Sequence, residues 1–146
     1  MRRYGEARRA DIRYTRRPGA YGIILRGEEA LLARNDSPGE EFALPGGGID
    51  PGESPVQALH REAMEETGYR IHVLRRVGAY QRFTYMPEYD LWAHKICHIY
   101  LCRAGRCTGP PVEPDHVPHW LPAVEAADML SLEGDRAFFR QAIGVA

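Results

Sequence analysis

Residues 44–69, LPGGGIDPGESPVQALHREAMEETGY, join a glycine-rich loop to a helix whose two ends are both marked. Four glycines and two prolines fall within residues 44–54, a density typical of a loop. Ser54 is placed to cap the helix, with Pro55 at its first position and Gln57 completing a capping box. Gly68 is placed to end it, because glycine readily adopts the left-handed conformation found at helix C-termini. The pattern predicts a helix over residues 54–67 that follows directly on the loop.

Three carboxylates share one side of this predicted helix. Glu62, Glu65 and Glu66 fall at positions i, i+3 and i+4, which are neighbours on a helix surface. They lie beside a separate apolar stripe that can pack on a sheet, formed by Val56, Leu59 and Ala63. The acids repel one another, and the C-terminal half of a helix disfavours negative charge. A hard cation such as Mg²⁺ or Mn²⁺ removes this cost, because converging carboxylate oxygens are its ligands. An exposed acidic helix is the alternative interpretation.

The glycine loop favours the metal interpretation. The three glycines at 46–48 allow backbone conformations and close approaches that side chains forbid, so a carbonyl of this loop can reach a metal. Glu53 precedes the helix cap and can turn toward the same centre. Arg61 lies four residues before Glu65 and can hold that side chain in one rotamer.

Residues 47–69 resemble the Nudix box, G-x5-E-x7-R-E-U-x-E-E-x-G-U, in which U is a bulky apolar residue. All seven fixed positions match at the right spacing, at Gly47, Glu53, Arg61, Glu62, Glu65, Glu66 and Gly68. Ala63 and Tyr69 depart from the usual aliphatic side chains at the two U positions, which concern packing more than chemistry. The flanking order of predicted elements also resembles the family over nearly the whole chain.

The resemblance implies metal-dependent hydrolysis of a nucleoside diphosphate linked to another moiety. Mg²⁺ is the expected cofactor, with Mn²⁺ as a substitute. The implied metal ligands are the Gly46 carbonyl and the carboxylates of Glu53, Glu62, Glu65 and Glu66. The resemblance gives Arg61 an orienting role.

A general base for the attacking water is expected among the acids of the same site. Glu62 is the first candidate. The late loop offers Glu113 as the next candidate and Asp115 after it, since some members of the family supply a base from a loop at this place. An exposed loop acid without a catalytic role is the alternative for Glu113.

The rest of the chain predicts a mixed sheet covered by helices on both faces, an α/β/α sandwich of the Nudix type. Residues 20–27 and 29–35 predict a β-hairpin, and EFALP predicts a short strand entering the glycine loop. Residues 69–85 and 91–103 predict strands separated by a loop at 85–90, and HWLP predicts a short strand or turn. Residues 104–118 predict a loop, and two helices are predicted at 123–130 and about 134–143. With 146 residues and no long linker, one domain over residues 1–146 is expected.

Composition excludes several classes of protein. The chain is 44% hydrophobic and 27% charged, as in ordinary soluble globular proteins. It has no apolar run of about 18 residues, so no membrane-spanning helix or membrane partner is expected. No secretory signal is expected, since no apolar stretch follows the arginine-rich N-terminus. Three cysteines without CxxC spacing argue against disulfides and zinc, and favour reduced thiols in the cytoplasm.

The N-terminus is strongly basic. Residues 1–17 contain seven arginines against Glu6 and Asp11, a net charge of +5 within a chain whose total is −1. Such an arm over residues 1–10 suits phosphates or RNA, and a solvated, partly mobile terminus is the simpler interpretation. The chain contains a single lysine, Lys95, against 18 arginines, which we interpret as genome composition rather than function.

The substrate is only broadly indicated. Tyr85 and Phe83 are aromatic side chains that can stack on a nucleobase, and Arg82 lies beside them. Ordinary strand and loop positions explain them equally well. A nucleoside triphosphate or another nucleoside diphosphate derivative is expected, with no DNA partner and with a monomer or homodimer as the assembly. The rivals are a nucleotide-sensing module without catalysis, an RNA 5′ pyrophosphohydrolase, and, more distantly, an isomerase using Cys97.

Overall fold

The computed structural model describes residues 1–35, 41–112 and 116–145, and within them it contains one seven-stranded mixed sheet. The strands are β1 (Thr15–Arg26), β2 (Glu29–Asn35), β3 (Phe42–Ala43), β4 (Gly46–Gly48), β5 (Tyr69–Met86), β6 (Leu91–Cys107) and β7 (His116–Pro122). The helices are α1 (Pro55–Thr67), α2 (Ala123–Met129) and α3 (Glu133–Ile143), with a single 3₁₀ turn at Pro87–Tyr89. The main strand order is β3-β2-β1-β6-β5, with β4 paired to β1 and β7 paired to β2.

Strand β1 changes its partner along its length. Its Gly19–Tyr21 segment pairs antiparallel with β4, and its Ile24–Arg26 segment pairs antiparallel with β2. On its other side it runs parallel to β6. Because β4 leaves the sheet where β2 takes over, the glycine loop lies at an opening in the sheet rather than at its outer edge.

Helices cover both faces of the sheet, as the sequence predicts. On one face, Leu59 and Ala63 of α1 pack with Ala20 and Ile24 in a buried cluster. On the other face, α2 and α3 close over a second cluster that includes Ile23, Tyr80 and Phe139. The α/β/α architecture follows from this alternation, since successive side chains of β1 point to opposite faces.

The ends of α1 are those predicted from the sequence. The Ser54 side chain accepts a hydrogen bond from the Gln57 amide at 3.1 Å, and the Gln57 side chain accepts one from the Ser54 amide at 2.8 Å. Gly68 ends the helix with a φ of 77°, and its amide donates to the Met64 carbonyl. The capping box therefore fixes where the helix begins relative to the glycine loop.

Replacing Ser54 with alanine should lower the free energy of unfolding by about 1 kcal/mol, because the Gln57 amide then loses its side-chain acceptor. Urea denaturation followed by circular dichroism measures this change. Ser131→Ala is a suitable control, since the hydrogen bond from the Ser131 hydroxyl to the Phe42 carbonyl is long, at 3.3 Å. If Ser54→Ala and the wild type have the same free energy of unfolding, the cap does not contribute to stability.

Several element boundaries differ from the expectation. Strand β1 begins at Thr15 instead of residue 20, and β7 begins at His116, inside the loop predicted over residues 104–118. Strand β6 runs to Cys107 instead of ending at residue 103, because β5 keeps pairing with it as far as Tyr69 opposite Cys107 through three irregularities in register. Strand β5 runs to Met86, and the predicted loop that follows contains the 3₁₀ turn at Pro87–Tyr89. Local sequence misplaces the ends of β5 and β6 because the pairing between the two long strands outweighs local turn signals.

The N-terminal residues pair with the outer strand β5. The Gln81 amide donates to the Arg2 carbonyl at 2.9 Å, and the Tyr4 amide donates to the Gln81 carbonyl at 3.0 Å. The Tyr4 ring is buried edge-on against Tyr80, with ring centroids 5.4 Å apart. The start of the basic segment is thus attached to the sheet in this structure. Among the described helices, none is both long enough and apolar enough to cross a membrane.

Candidate active site

Arg61 lies at the centre of the carboxylates of α1 and the loop before it. Its Nε and Nη2 donate to the two oxygens of Glu53 at 2.8 and 2.9 Å. Its Nη1 donates to Glu62 at 2.9 Å and to Glu65 at 3.4 Å, and its Nη2 also reaches the Gly48 carbonyl at 3.0 Å. One guanidinium therefore ties three acids to the backbone of β4, which restricts the rotamers of all of them.

Glu53 is the acid most strongly shaped by this arrangement. The hydrogen bonds from Arg61, and one from the Asp50 amide at 2.8 Å, lower the pKa of the Glu53 carboxyl to about 2. The same contacts raise the pKa of Arg61 above its usual value. Both groups are therefore charged across the physiological range.

Glu62 and Glu66 face a cavity of about 580 Å³ that also borders the three glycines of β4. Glu66 is buried, at 6% exposure. The carboxyl carbon of Glu62 would lie only 2.6 Å from a Cβ placed on Gly47, so this carboxylate occupies the space that a side chain at 47 would need. The lack of a side chain at residue 47 is what lets Glu62 approach the loop.

Residue 46, at the start of β4, must be a glycine because the backbone there runs very close to β1. Its φ is 149°, and a Cβ there would lie 2.2 Å from the Ala20 carbonyl oxygen and 2.6 Å from the Tyr21 Cα. Only glycine fits so close to β1. Gly46 lines the cavity together with Glu62 and Glu66, which brings three of the five predicted metal-binding residues to one wall.

The other two predicted ligands do not line this wall. Glu65 and Glu53 are turned to Arg61, and no group of three or more acid, histidine or cysteine side chains converges for a metal within the described part of the chain. The donors on the wall still fit Mg²⁺, because that ion keeps several waters and is commonly held by one or two carboxylates together with substrate phosphates. Hard oxygen donors from Glu62, Glu66 and the β4 backbone match this requirement.

The same cavity also has a cationic part, and sequence reasoning missed most of it. Arg82, predicted as a substrate residue, lines it together with Arg17 and Lys95. Tyr21 and Tyr89 also border this cavity. The only sequence signal was that Lys95 is the single lysine of the chain.

The two predicted aromatic substrate residues lie elsewhere. Phe83 and Tyr85 border a second pocket, which Arg82 also reaches. The Phe83 ring stacks on His94 with centroids 4.5 Å apart, and the Tyr85 hydroxyl donates to Asp90. The structure does not bring these rings together with Glu62 and Glu66.

Several other sequence candidates can now be placed. Glu113 and Asp115 lie outside the described residues. Cys97 is buried at 3% exposure, and burial raises the pKa of its thiol to about 11. A thiol of that kind is a poor nucleophile, which disfavours the isomerase.

A sequence model of the NUDIX domain matches residues 15–142. Among curated relatives, a putative 8-oxo-dGTP diphosphatase of Bacillus subtilis is 41% identical over 80 residues, which cover 53% of this chain and 52% of that protein. The CMP-5′-(N-acetyl-N-hydroxy-3-aminopropyl)phosphonate hydrolase of Streptomyces rubellomurinus is 34% identical over 124 residues, covering 80% of this chain and 57% of that protein. The chain thus spans just over half the length of these two relatives.

Solved structures give the same fold. A NUDIX hydrolase from Nitrosomonas europaea superposes with a TM-score of 0.73, covering 89% of this chain and 90% of that one at 16% sequence identity. At that identity the likeness concerns the fold alone. It agrees with the mixed sheet between helices described above.

Proposed function

The chain belongs to the NUDIX family, and on that premise we propose that it is a metal-dependent pyrophosphohydrolase acting on a nucleoside diphosphate linked to another moiety. The observation that carries the proposal is the cavity that Glu62, Glu66 and the β4 glycines border at one end. A diphosphate held there would meet carboxylates and an approachable backbone, the two features that the family's chemistry requires.

Nudix hydrolases generally use divalent metals. We assign Glu62, Glu66 and the Gly46 carbonyl as the groups that hold the metal, with Mg²⁺ as the proposed ion and Mn²⁺ as a substitute. When bound, such an ion neutralises the phosphate oxygens and lowers the pKa of a coordinated water. Glu62 is also bonded to Arg61, at 2.9 Å, but it borders the cavity. Glu65 and Glu53 do not border the cavity, so their direct coordination depends on a side-chain rotation.

Arg61 acts as a positioning residue in this proposal. Because it ties Glu53, Glu62 and Glu65 to the Gly48 carbonyl, it holds the carboxylates against the glycine loop before substrate arrives. Holding groups in place beforehand lowers the entropy cost of reaching the reactive geometry.

Glu62 is the proposed base that takes a proton from the attacking water. It lines the cavity beside Gly47, and a carboxylate must lie within hydrogen-bond reach of the water that it activates. Glu113 and then Asp115 remain the alternative bases. The bond that breaks is a phosphoric anhydride, and water supplies the oxygen to the attacked phosphorus.

The proposed substrate is a nucleoside triphosphate or a related nucleoside diphosphate derivative. One relative is named for 8-oxo-dGTP and another for a CMP-linked phosphonate, so the names of relatives agree on nucleotides but not on the group attached. The second candidate function is nucleotide sensing without hydrolysis. It has less support, because every acid of the box is retained.

A substrate panel tests the proposal. Deoxynucleoside triphosphates, oxidised dGTP, ADP-ribose, nucleotide sugars, dinucleoside polyphosphates and 5′-triphosphorylated RNA would each be incubated with Mg²⁺, with Mn²⁺ and with EDTA. We expect one class to be cleaved at the anhydride, and EDTA to stop the reaction. If calorimetry shows tight binding of a nucleotide but no member of the panel is cleaved, the hydrolase proposal is contradicted and the nucleotide-sensing module is favoured. Cleavage of RNA alone would favour the RNA 5′ pyrophosphohydrolase.

A further inference from the structure

Three cationic side chains form a row across three neighbouring strands. Lys95 of β6 lies opposite Arg17 of β1 on one side and opposite Arg82 of β5 on the other. Residues directly opposite one another in a sheet present their side chains on the same face, so all three point the same way. All three border the cavity that reaches Glu62 and Glu66, and we call them the cation row.

The cation row is costly to fold without a partner. Like charges directly opposite one another destabilise a sheet, and the row contains two such pairs. The three residues are half-buried, and burial lowers the pKa of Lys95, with Arg82 adding to this effect. Two large arginines and the chain's single lysine therefore stand where folding alone would favour neutral side chains.

The cation row has no close ion-pair partner among the described residues. No ion pair joins Arg17, Lys95 or Arg82 to an acid within residues 1–35, 41–112 and 116–145. The Nε of Arg82 is buried and has no hydrogen-bond acceptor in that part of the chain.

The acids closest to the row are otherwise engaged or exposed. Asp135 is buried and accepts a hydrogen bond from the Tyr80 hydroxyl at 2.6 Å. Its charge acts on Arg82 and Lys95 without forming an ion pair with either. Glu41 borders the same cavity but is exposed to solvent, as is Glu88 on the 3₁₀ turn. The guanidinium of Arg17 lies 4.8 Å from the centre of the Tyr89 ring, a cation–π contact rather than an ion pair.

We propose that the cation row is a second anion-binding subsite, which takes a negatively charged group at the end of the substrate remote from the diphosphate. The proposal rests on the hydrolase function proposed above, because it places the diphosphate at the Glu62 and Glu66 end of the cavity. The row offers only hydrogen-bond donors, so its ligand must present acceptors, and the uncompensated positive charge favours an anion. A phosphate or a carboxylate fits, since Arg82 can bind either through two parallel hydrogen bonds and Lys95 adds a point charge.

The preferred substrates then carry an anion at both ends. A nucleotide linked to a neutral group would fill the diphosphate site and leave the row uncompensated. A nucleotide linked to an acidic sugar, or bearing an extra phosphate, would satisfy both ends of the cavity. The cation row would therefore discriminate between substrates that share the same diphosphate but differ in the charge of the rest of the molecule.

The first experiment measures calorimetric binding of inorganic phosphate in EDTA, so that no metal can hold phosphate at the carboxylates. The wild type should bind phosphate saturably. Lys95→Met and Arg82→Gln should weaken binding by about tenfold or more, because each removes a charged donor. Lys95→Arg should retain binding. Arg75→Gln is the matched control, since Arg75 is exposed on the same strand as Arg82 and does not border the cavity.

Thermal unfolding separates this effect from misfolding. Lys95→Met removes one of three like charges, so the free variant should unfold at the same temperature as the wild type or higher, while losing the stabilisation that phosphate gives the wild type. Absence of saturable phosphate binding by the wild type, or an equal loss in Arg75→Gln, would overturn the subsite.

The second experiment compares substrates in matched pairs. UDP-glucuronate against UDP-glucose adds a carboxylate, and coenzyme A against dephospho-coenzyme A adds a phosphate, so the two pairs distinguish the source of the anion. In a cleaved pair, kcat/KM should favour the charged member by about tenfold, and Lys95→Met should bring that ratio toward one. Equal losses for both members would mean that the row holds the diphosphate itself, which contradicts the proposal. If phosphate binding requires the cation row but no nucleotide is cleaved, the hydrolase function is contradicted and the anion-binding subsite is supported.

Discussion

Replacing Glu66 with glutamine is expected to lower kcat by about a thousandfold, since loss of a metal-binding carboxylate removes several kcal/mol of charge stabilisation in the transition state. Glu66 is 6% exposed and borders the cavity, so its carboxylate already faces the proposed diphosphate site. Glutamine has nearly the same shape, so the fold should persist. Steady-state kinetics over a Mg²⁺ titration, on the best substrate of the panel, measures the loss.

Two variants sharpen this prediction. Glu125→Gln makes the same chemical change at an exposed position of α2 and should keep the wild-type rate. Glu65→Gln tests an acid that is held by Arg61 in this structure and does not border the cavity. The assignment of Glu66 to the metal is refuted if Glu66→Gln keeps the wild-type melting temperature and a kcat within about threefold of the wild type. Loss of a metal ligand should lower kcat by about a thousandfold, far more than threefold.

The helix and its acids could be read from sequence because their signals are local. Ser54, Gln57 and Gly68 lie within a few residues of the backbone groups that they satisfy, so spacing alone predicts both caps. The orientation of α1 followed in the same way, since the stripe containing Leu59 and Ala63 had to face the sheet. The α/β/α arrangement was likewise predicted from the order of the elements.

The cationic lining of the cavity could not be predicted in this way because it depends on strand register. Arg17 and Lys95 are 78 residues apart in sequence and meet only because β1 runs parallel to β6 in one particular register. Arg82 and Phe83 are adjacent, so the alternation of a strand sends their side chains to opposite faces. Sequence proximity suggested a single substrate surface, whereas the sheet places Arg82 in the cavity with Glu62 and stacks Phe83 on His94.

Arg61 orders the carboxylates of the proposed metal site and would compete with a metal for them. Its Nη1 is shared between Glu62 and Glu65, and its other nitrogens hold Glu53. A metal that binds Glu62 must compete with this guanidinium, so metal affinity reflects the difference between the two interactions. The sequence predicted that Arg61 would pair with Glu65 at i+4, but the closest contacts are with Glu53 and Glu62, because the loop before α1 folds back over the helix.

Replacing Gly47 with alanine should lower kcat/KM by about a hundredfold while changing stability little, because displacement of a reacting group by about 1 Å can cost that much. A Cβ at residue 47 would lie 2.6 to 2.8 Å from the three carboxyl atoms of Glu62, so the carboxylate must move away from the loop. The obstructed atoms are the end of a flexible side chain, which explains why folding should tolerate the change.

Gly48→Ala is the matched control for this prediction, because a Cβ at residue 48 would meet no atom within 4 Å. Both substitutions add one methyl group to β4, and neither glycine has the positive φ of Gly46. The two variants should therefore have similar melting temperatures in thermal unfolding but unequal activities in steady-state kinetics. Equal losses of activity would locate the effect in the backbone of the glycine strand. Unequal losses would instead tie turnover to the position of the Glu62 carboxylate, because this is the group that the new methyl displaces.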